Sequence, residues 1–385
     1  MRKINLLYVV TKLELGGAQQ YVFSFLTRLD REKFNIFLFT SDEGYLFAEA
    51  AALKDVTLEG SRFLERRINP IRDVATLCQL CAFIKKNHID IVHTNSSKAG
   101  IIGRWAAKLT GVKAVIHTVH GWPFHEYQFP WVKFLFIAME RLTCGLTDVF
   151  IVTSESDRVK GLRNGIGTEA QYALIYIGFN RQRFTASGEG VRNELAIKGN
   201  SALVGTVACL KPQKAPLDFI RLASKVAEKN PDLKVKFLLV GDGVLRKRVE
   251  RAVHRQGLEG KVILTGWRRD IPELLAAMDI FVLTSLWEGF PFAVLEAMAS
   301  GRPVVATDTG ALREVVDAGS NGYVVPPRAM EAMAERVSFL LRHKDKMRQM
   351  GVQAKKTVGS EFDLERMLDL TEALYLKLYS QKYAL

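Results

Sequence analysis

Residues 280–306 have the sequence IFVLTSLWEGFPFAVLEAMASGRPVVA. The run Ile280–Thr284 is short, apolar and bounded by polar residues, which predicts a buried strand. The apolar stretch 293–299 predicts a helix, and Pro303–Ala306 predicts a second buried strand. Strand, helix and buried strand in this order are typical of a parallel sheet whose faces are covered by helices.

The same alternation of strand and helix patterns occupies most of the chain. In the first half, the predicted strands are Ile4–Val10, Phe34–Phe39, Ile89–His93, Val112–His117 and Val149–Thr153. In the second half, they begin with Ser201–Val207, Val235–Val240 and Lys261–Thr265. Stretches that predict helices lie between the strands, at 18–29, 44–53, 98–109, 216–229, 244–256 and 271–277. The pattern therefore starts twice, with a polar, glycine-bearing stretch at 185–200 between the two series.

The chain of 385 residues is longer than the roughly 250–300 residues that one hydrophobic core usually serves. We therefore predict an α/β protein of two Rossmann-like, doubly wound domains that face each other across a cleft. The first domain would cover residues 1–185 and the second 190–360. Ligands of such sheets bind outside the carboxyl ends of the strands, so we expect site residues in the loops that follow the strands.

The composition excludes some classes of protein and narrows the choice of ligands. Hydrophobic residues make up 48% and charged residues 25%, which is the balance of an ordinary globular protein. The net charge of +13 is shared by both halves, and such an excess attracts nucleic acids, anionic lipids or phosphorylated small molecules. The sequence contains no nucleic-acid recognition motif, so no nucleic-acid partner is expected.

No segment of the sequence indicates export or a membrane span. The apolar run Ile4–Val10 is short and lacks a small-residue cleavage site, which favours a first buried strand over a signal peptide. The most apolar stretch, 129–139, is well below the roughly 18 residues of a spanning helix. Four cysteines are too few for a disulfide framework, and Cys78 and Cys81 lie in a helical pattern that favours packing over zinc binding. We therefore predict a cytoplasmic protein.

Two glycine-containing turns join predicted strands to predicted helices. They are Gly16-Gly17, within the segment 13–19, and Gly241–Gly243. Glycine keeps side chains away from the backbone N–H groups of a helix N-terminus, where a phosphate can bind. A tight turn without a ligand explains either motif as well, so neither motif alone decides the function.

Two glutamates flank a Gly-Phe-Pro run after the predicted strand Ile280–Thr284. Glu288 would lie in the loop above the carboxyl edge of the sheet, and Glu296 near the start of the next helix. Carboxylates at such positions suit sugar or ribose hydroxyls, as in dinucleotide-binding folds. A solvated Glu288, or a Glu296 that favours the helix dipole, explains each residue alone but not both together with the run 289–291 between them.

This Glu-Gly-Phe-Pro run, with glutamates at this spacing, resembles the retaining glycosyltransferases of family four, which have the GT-B architecture. Further blocks that are similar to this family extend along nearly the whole chain. They are Gly16–Gln19, His117–Gly121, Ser154-Glu155, Ile175–Asn180, Lys211–Lys214, Leu239–Gly243, Asp308–Gly310 and Glu314. So many blocks in the family's order make a chance resemblance implausible.

The resemblance implies transfer of a hexose-type sugar from a UDP- or GDP-sugar to a glycan or lipid-linked acceptor, with retention at the anomeric carbon. It implies that Glu296 holds the donor ribose, that Glu288 contacts the donor sugar and that Lys214 neutralises the diphosphate. His120 would lie at the reacting face and act in catalysis with Glu288 and Lys214. The other donor-binding residues would be Gly16, Gly17, Gly266, Arg268, Gly289, Phe290, Pro291 and Phe292.

The resemblance also implies how the two domains share the substrates. The first domain would bind the acceptor and the second the nucleotide-sugar donor. The C-terminal helix, at about 364–385, would pack back on the first domain.

The sequence departs from the family at two positions. Cys209, five residues before Lys214, stands where the family usually has an arginine that pairs with the diphosphate. Lys211 and backbone amides are the candidates to replace the missing charge. Ile177 stands where the family often has asparagine in a turn, and we expect this change to affect the hinge more than the chemistry.

The segment 93–100 ends a predicted strand and opens a helix with hydroxyl groups and a lysine, which is typical of an anion site. Together with the segment after His120, it resembles bacterial enzymes that build capsule, O-antigen or exopolysaccharide on a polyprenyl-diphosphate carrier. The acceptor-binding residues would be Ser96, Ser97, Lys98, His120, Gly121 and Trp122. An ordinary helix cap by Ser96 or Ser97 is the alternative.

Basic and aromatic residues cluster in two stretches of the first predicted domain. These are 62–72, which contains four arginines, and 122–131, which is rich in aromatic rings. Such surfaces suit an anionic membrane, so we expect peripheral association with the inner face of the cytoplasmic membrane. A solvated charged loop and aromatic residues buried in the core are the alternatives.

The seven histidines form no metal-binding motif, and the family lacks the metal-binding Asp-x-Asp of the other main glycosyltransferase architecture. No cofactor or essential metal is therefore expected. Two alternatives from other classes stay open. One is a non-catalytic nucleotide-sugar-binding partner subunit, which Cys209 alone supports, and the other is a sugar-nucleotide epimerase or a phosphorylase of the same architecture.

Overall fold

The computed structural model describes residues 2–383 and divides into two compact units. The first unit consists of the residues up to Gly178 together with those from Leu364 onward, and the second is Phe179–Asp363. Each unit is built on one parallel sheet, with helices between successive strands. The division at Gly178 lies a few residues before the boundary that the sequence predicted.

Within the described residues, the first unit has a seven-stranded sheet and seven α-helices. The strands are β1 (Ile4–Val10), β2 (Phe34–Ser41), β3 (Val56–Ser61), β4 (Ile91–Asn95), β5 (Ala114–Val119), β6 (Val149–Val152) and β7 (Tyr172–Leu174). The helices are α1 (Gly17–Arg28), α2 (Phe47–Ala51), α3 (Pro70–Lys86), α4 (Ser97–Thr110), α5 (Pro130–Cys144), α6 (Glu155–Arg163) and the C-terminal α14 (Leu364–Tyr383). The strand order is β3-β2-β1-β4-β5-β6-β7, and all neighbours are parallel.

The second unit has a six-stranded sheet. Its strands are β8 (Ala202–Val207), β9 (Val235–Val240), β10 (Val262–Gly266), β11 (Ile280–Leu283), β12 (Val304–Thr307) and β13 (Gly322–Val325). Its helices are α7 (Glu189–Glu194), α8 (Pro216–Lys229), α9 (Arg246–Arg255), α10 (Ile271–Ala277), α11 (Phe292–Ala299), α12 (Met330–Arg342) and α13 (Lys344–Thr357). The strand order is β10-β9-β8-β11-β12-β13, again all parallel. No helix within residues 2–383 combines the length and the apolar character that a membrane crossing requires.

In both sheets, the strand order reverses beside the first strand of the unit. The chain moves outward from β1 through β2 to β3 and then continues on the other side of β1 with β4, and β8 and β11 repeat this arrangement. This is the doubly wound topology that the sequence predicted. It leaves a crevice at the carboxyl ends of β1 and β4 in one unit and of β8 and β11 in the other.

Burial of both faces explains why the strands have unbroken apolar runs. From Leu6 to Val10, no side chain of β1 is more than 1% exposed. A strand covered by helices on both sides needs apolar residues at every position, not at alternate ones. The prediction that the first apolar run is a buried strand is therefore confirmed.

Local sequence signals explain where several helices begin and end. Asn69 caps α3 by accepting a hydrogen bond from the backbone N–H of Arg72 at 3.3 Å. Ser154 caps α6 in the same way through the N–H of Asp157, at 3.0 Å. Gly111 follows the last residue of α4 with φ +78°, a left-handed conformation that costs glycine little.

The sequence pattern missed strands at the sheet edges. β3 and β7 are the two edges of the first sheet, and β13 is an edge of the second. In β3, only Val56 and Ser61 are buried, and β7 has three residues of which none is buried. Because edge strands are short and partly exposed, they do not need the continuous apolar run by which the central strands were recognised.

The buried residues of helix α5 are polar, and the buried charge among them is paired. Glu140 and Thr143 are the buried residues of this helix. An Nη atom of Arg104, on α4, donates to Oε2 of Glu140 at 2.7 Å, and neither side chain is more than 1% exposed. Arg104 also donates through Nε to the backbone oxygen of Gly100 at 2.9 Å. This ion pair therefore holds α5 against α4.

We expect Arg104→Met to lower the free energy of unfolding by about 3–5 kcal/mol, because it leaves the Glu140 carboxylate buried without its partner. The double variant Arg104→Met/Glu140→Leu removes both charges and should recover most of this loss. Urea denaturation followed by circular dichroism measures both variants. A double variant as unstable as the single one would show that packing of the arginine, and not the charge pair, stabilises this interface.

Candidate functional site

In the second unit, a lysine and a glutamate from two loops form an ion pair at the carboxyl edge of the sheet. Lys214 lies in the loop after β8 and Glu288 in the loop after β11, and Nζ of Lys214 is 2.5 Å from Oε1 of Glu288. Only 6% of the Glu288 side chain and 19% of the Lys214 side chain are exposed. Two predicted catalytic residues that lie far apart in the sequence are thus in direct contact.

Hydrogen bonds between the same two loops fix this pair. Gln213 donates through Nε2 to Oε2 of Glu288 at 3.4 Å, and its backbone oxygen accepts from the N–H of Leu286 at 2.8 Å. The hydroxyl of Thr284 donates to the backbone oxygen of Lys214 at 3.1 Å. The sequence analysis did not identify Gln213 and Thr284 as site residues. The position of Gln213 next to Lys214 in the sequence was the one signal that could have identified Gln213 as a site residue.

Glu296 presents a partly buried carboxyl group in the second turn of α11. The residues beside it, Val294, Leu295, Ala297 and Met298, are buried and apolar. Burial raises the pKa of Glu296 to about 8, against the lowering effect of the Arg183 charge. Within residues 2–383, no group donates a hydrogen bond to this carboxyl. It is therefore available to hydroxyl groups of a ligand.

The loop between Glu288 and α11 uses its aromatic rings in packing. The ring of Phe290 is 6.0 Å from that of Phe362, and the ring of Phe292 is 5.5 Å from that of Phe179. The backbone oxygen of Pro291 accepts from the third residue of α11, Val294, at 2.9 Å. Because these rings are engaged in packing, the backbone groups of this loop are the ones left for the donor contacts that the resemblance implies for Gly289 and its neighbours.

Two expected donor-binding residues lie at the end of β10 and just after it. Gly266 has φ +71°, and its backbone oxygen accepts from the N–H of Gly241 at 2.9 Å. Arg268 is 2.5 Å from a carboxylate oxygen of Glu194 and 2.6 Å from one of Asp270. Asp270 and Glu194 raise the pKa of Arg268 further above its usual value. Because two carboxylates already balance its charge, this placement does not favour the predicted contact between Arg268 and the donor.

In the first unit, Gly16 and Gly17 open helix α1. Gly16 has φ −163°, an extended conformation that any residue adopts. A Cβ atom at this position would meet only the flexible side-chain oxygen of Gln19, at 2.7 Å. The local fold therefore does not require glycine at position 16, which favours close approach of a ligand over a tight turn as the reason for it.

His120 directly follows β5 and contacts the ends of two other elements. Its Nε2 is 2.9 Å from Oδ1 of Asn95, the last residue of β4, and its ring lies edge-on to Tyr21 of α1 at 4.9 Å. Burial lowers the pKa of His120 to about 3, so the imidazole is neutral at physiological pH. The sequence analysis gave Asn95 no role, although the structure places it against His120.

The residues predicted to form an anion site at the start of α4 make contacts within the protein. Ser96 has φ +69°, makes no capping hydrogen bond, and its hydroxyl is 2.7 Å from that of Thr11. Ser97 is the first residue of α4. Nζ of Lys98 is 2.5 Å from Oδ1 of Asp73 on α3, and 13% of the lysine side chain is exposed. The lysine charge is therefore already paired, and Ser96 occupies the N-cap position without capping the helix through its hydroxyl.

The position of Trp122 does not favour its predicted role in acceptor binding. Gly121, with φ +98°, turns the chain after His120. Trp122 is 4% exposed, donates through Nε1 to the backbone oxygen of Asp157 at 2.8 Å and stacks on Phe124 at 5.6 Å. It is a core residue of the first unit, as part of a cluster with β6.

The two sheet edges offer different chemistry. The second unit presents a lysine, a carboxylate paired with it and a second carboxyl group, that of Glu296, which suit a phosphate and the hydroxyls of a sugar. The first unit presents a neutral imidazole. Among residues 2–383, no three His, Cys, Asp or Glu side chains are grouped so that they could hold a metal ion.

Comparison with known protein families finds one match in each half of the chain. The model of glycosyltransferase family 4 matches residues 15–183, and the model of glycosyl transferases group 1 matches residues 201–343. The two matches do not overlap, and each lies almost entirely within one of the two structural units.

Individual proteins are similar over nearly the whole chain. The UDP-Gal:alpha-D-GlcNAc-diphosphoundecaprenol alpha-1,3-galactosyltransferase of Escherichia coli is 30% identical over 390 residues, 99% of this chain and 98% of that protein. The O-antigen biosynthesis glycosyltransferase WbnH of Escherichia coli is 29% identical over 321 residues, which are 83% of this chain and 86% of that protein. The crystal structure of Anabaena HepE in complex with UDP and glucose has a TM-score of 0.82 at 21% identity, over 97% of this chain and 100% of that one. The predicted fold class is thereby confirmed.

We expect Glu296→Gln to stabilise the protein increasingly as the pH rises. The pKa of Glu296 is about 8 in the folded state against 4.5 for an unperturbed glutamate. Its contribution to stability is therefore fully present below about pH 4.5 and is lost as the pH rises through 8. Relative to wild type, the variant should gain about 4 kcal/mol between pH 5 and pH 9.

Thermal unfolding of both proteins across this range measures the difference, and Glu335→Gln, at an exposed glutamate of α12, is the matched control. A constant difference between Glu296→Gln and wild type at all pH values would contradict the raised pKa.

Proposed function

The chain belongs to glycosyltransferase family 4, and on this premise we propose that it transfers a hexose from a UDP-sugar to a polyprenyl-diphosphate-linked acceptor. Such a transfer is a step of surface polysaccharide synthesis. The name of the Escherichia coli galactosyltransferase specifies a UDP-sugar donor and a diphosphoundecaprenol-linked acceptor, and HepE binds UDP. Both support uridine as the base and a lipid-linked acceptor among the alternatives that the sequence left open.

The observation that carries this proposal is the contact between Lys214 and Glu288 at the point where the strand order of the second sheet reverses. Cleavage of a sugar–phosphate bond builds negative charge on the departing diphosphate. A lysine fixed at this point stabilises that charge more in the transition state than in the ground state. Glu288, held by Gln213 at the same edge, is then placed to accept hydrogen bonds from hydroxyls of the transferred sugar.

Glu296 supports a nucleoside as the other part of the donor. Its carboxyl group lies on the helix that follows Glu288, is partly buried and has no hydrogen-bond donor among residues 2–383. Two neighbouring ribose hydroxyls can donate to one carboxylate, and such hydrogen bonds favour its ionised form. Binding of the nucleotide would therefore lower the pKa of Glu296 from its raised value in the free protein.

The first unit exposes apolar residues along two neighbouring helices, α4 and α5. The most exposed are Trp105, Leu109, Trp131, Phe134, Leu135 and Leu142, together with Phe129 just before α5. Aromatic residues of this kind prefer the membrane interface. Lys108, Lys133 and Arg141 lie on the same helices and are complementary in charge to anionic headgroups. We therefore propose that this surface contacts the inner face of the cytoplasmic membrane, where a lipid-linked acceptor would be reached.

We expect Lys214→Ala to lower the turnover number with a UDP-sugar and a polyprenyl-diphosphate-sugar acceptor by roughly 100- to 1000-fold, because the leaving charge loses its cation. Glu296→Ala should abolish the stabilisation by UDP, which for wild type is about 2.7 kcal/mol at a hundredfold excess over the dissociation constant. Thermal shift and radiolabel transfer measure the two effects. Lys225→Ala removes an exposed lysine that pairs with Glu331 and is the matched control.

The same assay tests the rest of the proposal. We propose that the transfer retains the anomeric configuration and proceeds without an essential divalent ion, so the product should keep the anomeric coupling of the donor, and EDTA should leave the rate unchanged. Stabilisation by UDP without any transfer would favour the non-catalytic partner subunit. Conversion of the donor sugar without acceptor would favour an epimerase.

We expect the double variant Trp131→Ser/Phe134→Ser to lower the fraction of protein bound to anionic vesicles several-fold, because it removes two exposed rings from α5. Flotation with phosphatidylglycerol-containing vesicles measures binding, and phosphatidylcholine vesicles test the role of charge. Val352→Ser, at an exposed apolar residue of α13, is the control. Equal binding of wild type and double variant would exclude this surface as the contact.

A further inference from the structure

Polar side chains join the carboxyl ends of β4 and β5 in three successive pairs. The pairs are His93 Nε2 with Thr118 Oγ1 at 2.6 Å, His117 Nδ1 with Thr94 Oγ1 at 2.8 Å, and His120 Nε2 with Asn95 Oδ1 at 2.9 Å. In the first two pairs the partner is a hydroxyl, a group that can both donate and accept a hydrogen bond. Only in the third pair is the partner atom restricted to one role, because an amide oxygen accepts hydrogen bonds and cannot donate them.

The amide of Asn95 therefore defines the proton position on His120. Its Oδ1 faces the ring, whereas its Nδ2 points to the backbone oxygen of His93 at 3.5 Å. An amide oxygen accepts hydrogen bonds and cannot donate them, so Nε2 of His120 must carry the proton. In a neutral imidazole, Nδ1 then keeps its lone pair. Among residues 2–383, no group donates a hydrogen bond to this Nδ1.

Asn95 is itself held in place on all sides. It is 0% exposed and lies in register with Val10 of β1 and Thr118 of β5. The next residue, Ser96, has φ +69°, which is strained for a residue other than glycine, and its hydroxyl contacts that of Thr11. Because the Asn95 side chain is fixed in this way, it can also fix the orientation of the His120 ring that it contacts.

We propose that Asn95 is a positioning residue that holds His120 as the Nε2–H tautomer and thereby makes Nδ1 a hydrogen-bond acceptor for a substrate hydroxyl. This inference rests on the proposed transferase function, because it assigns the ring to a hydroxyl of the sugar or the acceptor. In this tautomer, His120 orients a hydroxyl and cannot donate a proton from Nδ1 to a departing oxygen.

The titratable groups around His120 keep it in this state over the physiological range. They are His93 on β4, His117 on β5 and Tyr21 on α1. Burial lowers the pKa of His93 to about 3 and that of His117 well below its usual value, and burial raises the pKa of Tyr21 to about 12. All three are therefore uncharged between pH 5 and pH 9, so wild-type His120 should not change its proton there.

Two substitutions of Asn95 separate positioning from structural support. Asn95→Asp places a carboxylate against the ring and should raise the pKa of His120 towards neutrality. Asn95→Leu keeps the volume but lets the ring populate both tautomers. Thr94→Val is the matched control, because it removes a buried partner of a neighbouring histidine from the same strand and does not touch His120.

The ring-nitrogen chemical shifts of ¹⁵N-histidine-labelled protein report the tautomer without any turnover. We expect the Nε2–H form for wild type and the Thr94→Val control, a mixture for Asn95→Leu, and imidazolium that appears near neutral pH for Asn95→Asp. An Nδ1–H tautomer in the wild type would overturn the proposal. If the protein proves not to transfer sugar, these shifts still decide the tautomer, so the two failures are distinguishable.

The pH profile of transfer tests the link to function. We expect kcat of Asn95→Asp to fall as the pH is lowered through the new pKa, because imidazolium cannot accept at Nδ1, while wild type and Thr94→Val stay level. Asn95→Leu should lose roughly 10- to 100-fold in kcat with a smaller change in KM. Profiles of the Asn95 variants that match the wild type would overturn the positioning role.

Discussion

The position of the candidate site in each unit follows from one constraint, the reversal of strand order in a fully parallel sheet. Because all strands run in the same direction, every loop that follows a strand lies at one edge. The reversal between β8 and β11 brings Lys214 and Glu288 together. In the first sheet, β4 lies next to β1 and β5 next to β4, so Asn95 at the end of β4 meets His120 just after β5. Residues far apart in the sequence thus meet at one edge of the sheet.

The pairing of Lys214 with Glu288 has a consequence for substrate binding. In the structure, each charge neutralises the other, and burial of an ion pair is tolerated only because both partners are present. A diphosphate that binds Lys214 would compete with Glu288 for its ammonium group, which has three N–H donors. Gln213 still contacts the glutamate, so this side chain remains at the edge and can turn to sugar hydroxyls. In the proposed reaction, the contact between Lys214 and Glu288 is exchanged for a contact of Lys214 with the diphosphate and a contact of Glu288 with the sugar. Each charged side chain therefore keeps a polar partner during binding.

The sequence predicted the central elements well and the polar partners poorly. The observed bounds of β1, β9, α8 and α10 are the predicted ones, because apolar runs and helix-starting prolines mark buried elements directly. Edge strands such as β3 carry no such mark. At the site, the family motif identified Glu288, but Lys98 and Arg268 are each paired with a carboxylate from a different element, Asp73 and Glu194. Such partners depend on the packing of elements, which sequence spacing does not contain.

In the first unit, the sheet edge near His120 carries little of the protein's excess positive charge. The protein has a net charge of +13, yet burial lowers the pKa of His93 and His120 to about 3, and Lys98 is paired. The excess positive charge therefore lies outside this sheet edge, on surface residues such as Lys108 and Arg141. Surface charges attract anions over a distance that salt shortens, whereas a hydrogen bond to a neutral, partly buried ring is insensitive to salt. The proposed attraction to an anionic membrane and the proposed recognition of a substrate hydroxyl at His120 thus depend on different interactions, and one can change in sequence without loss of the other.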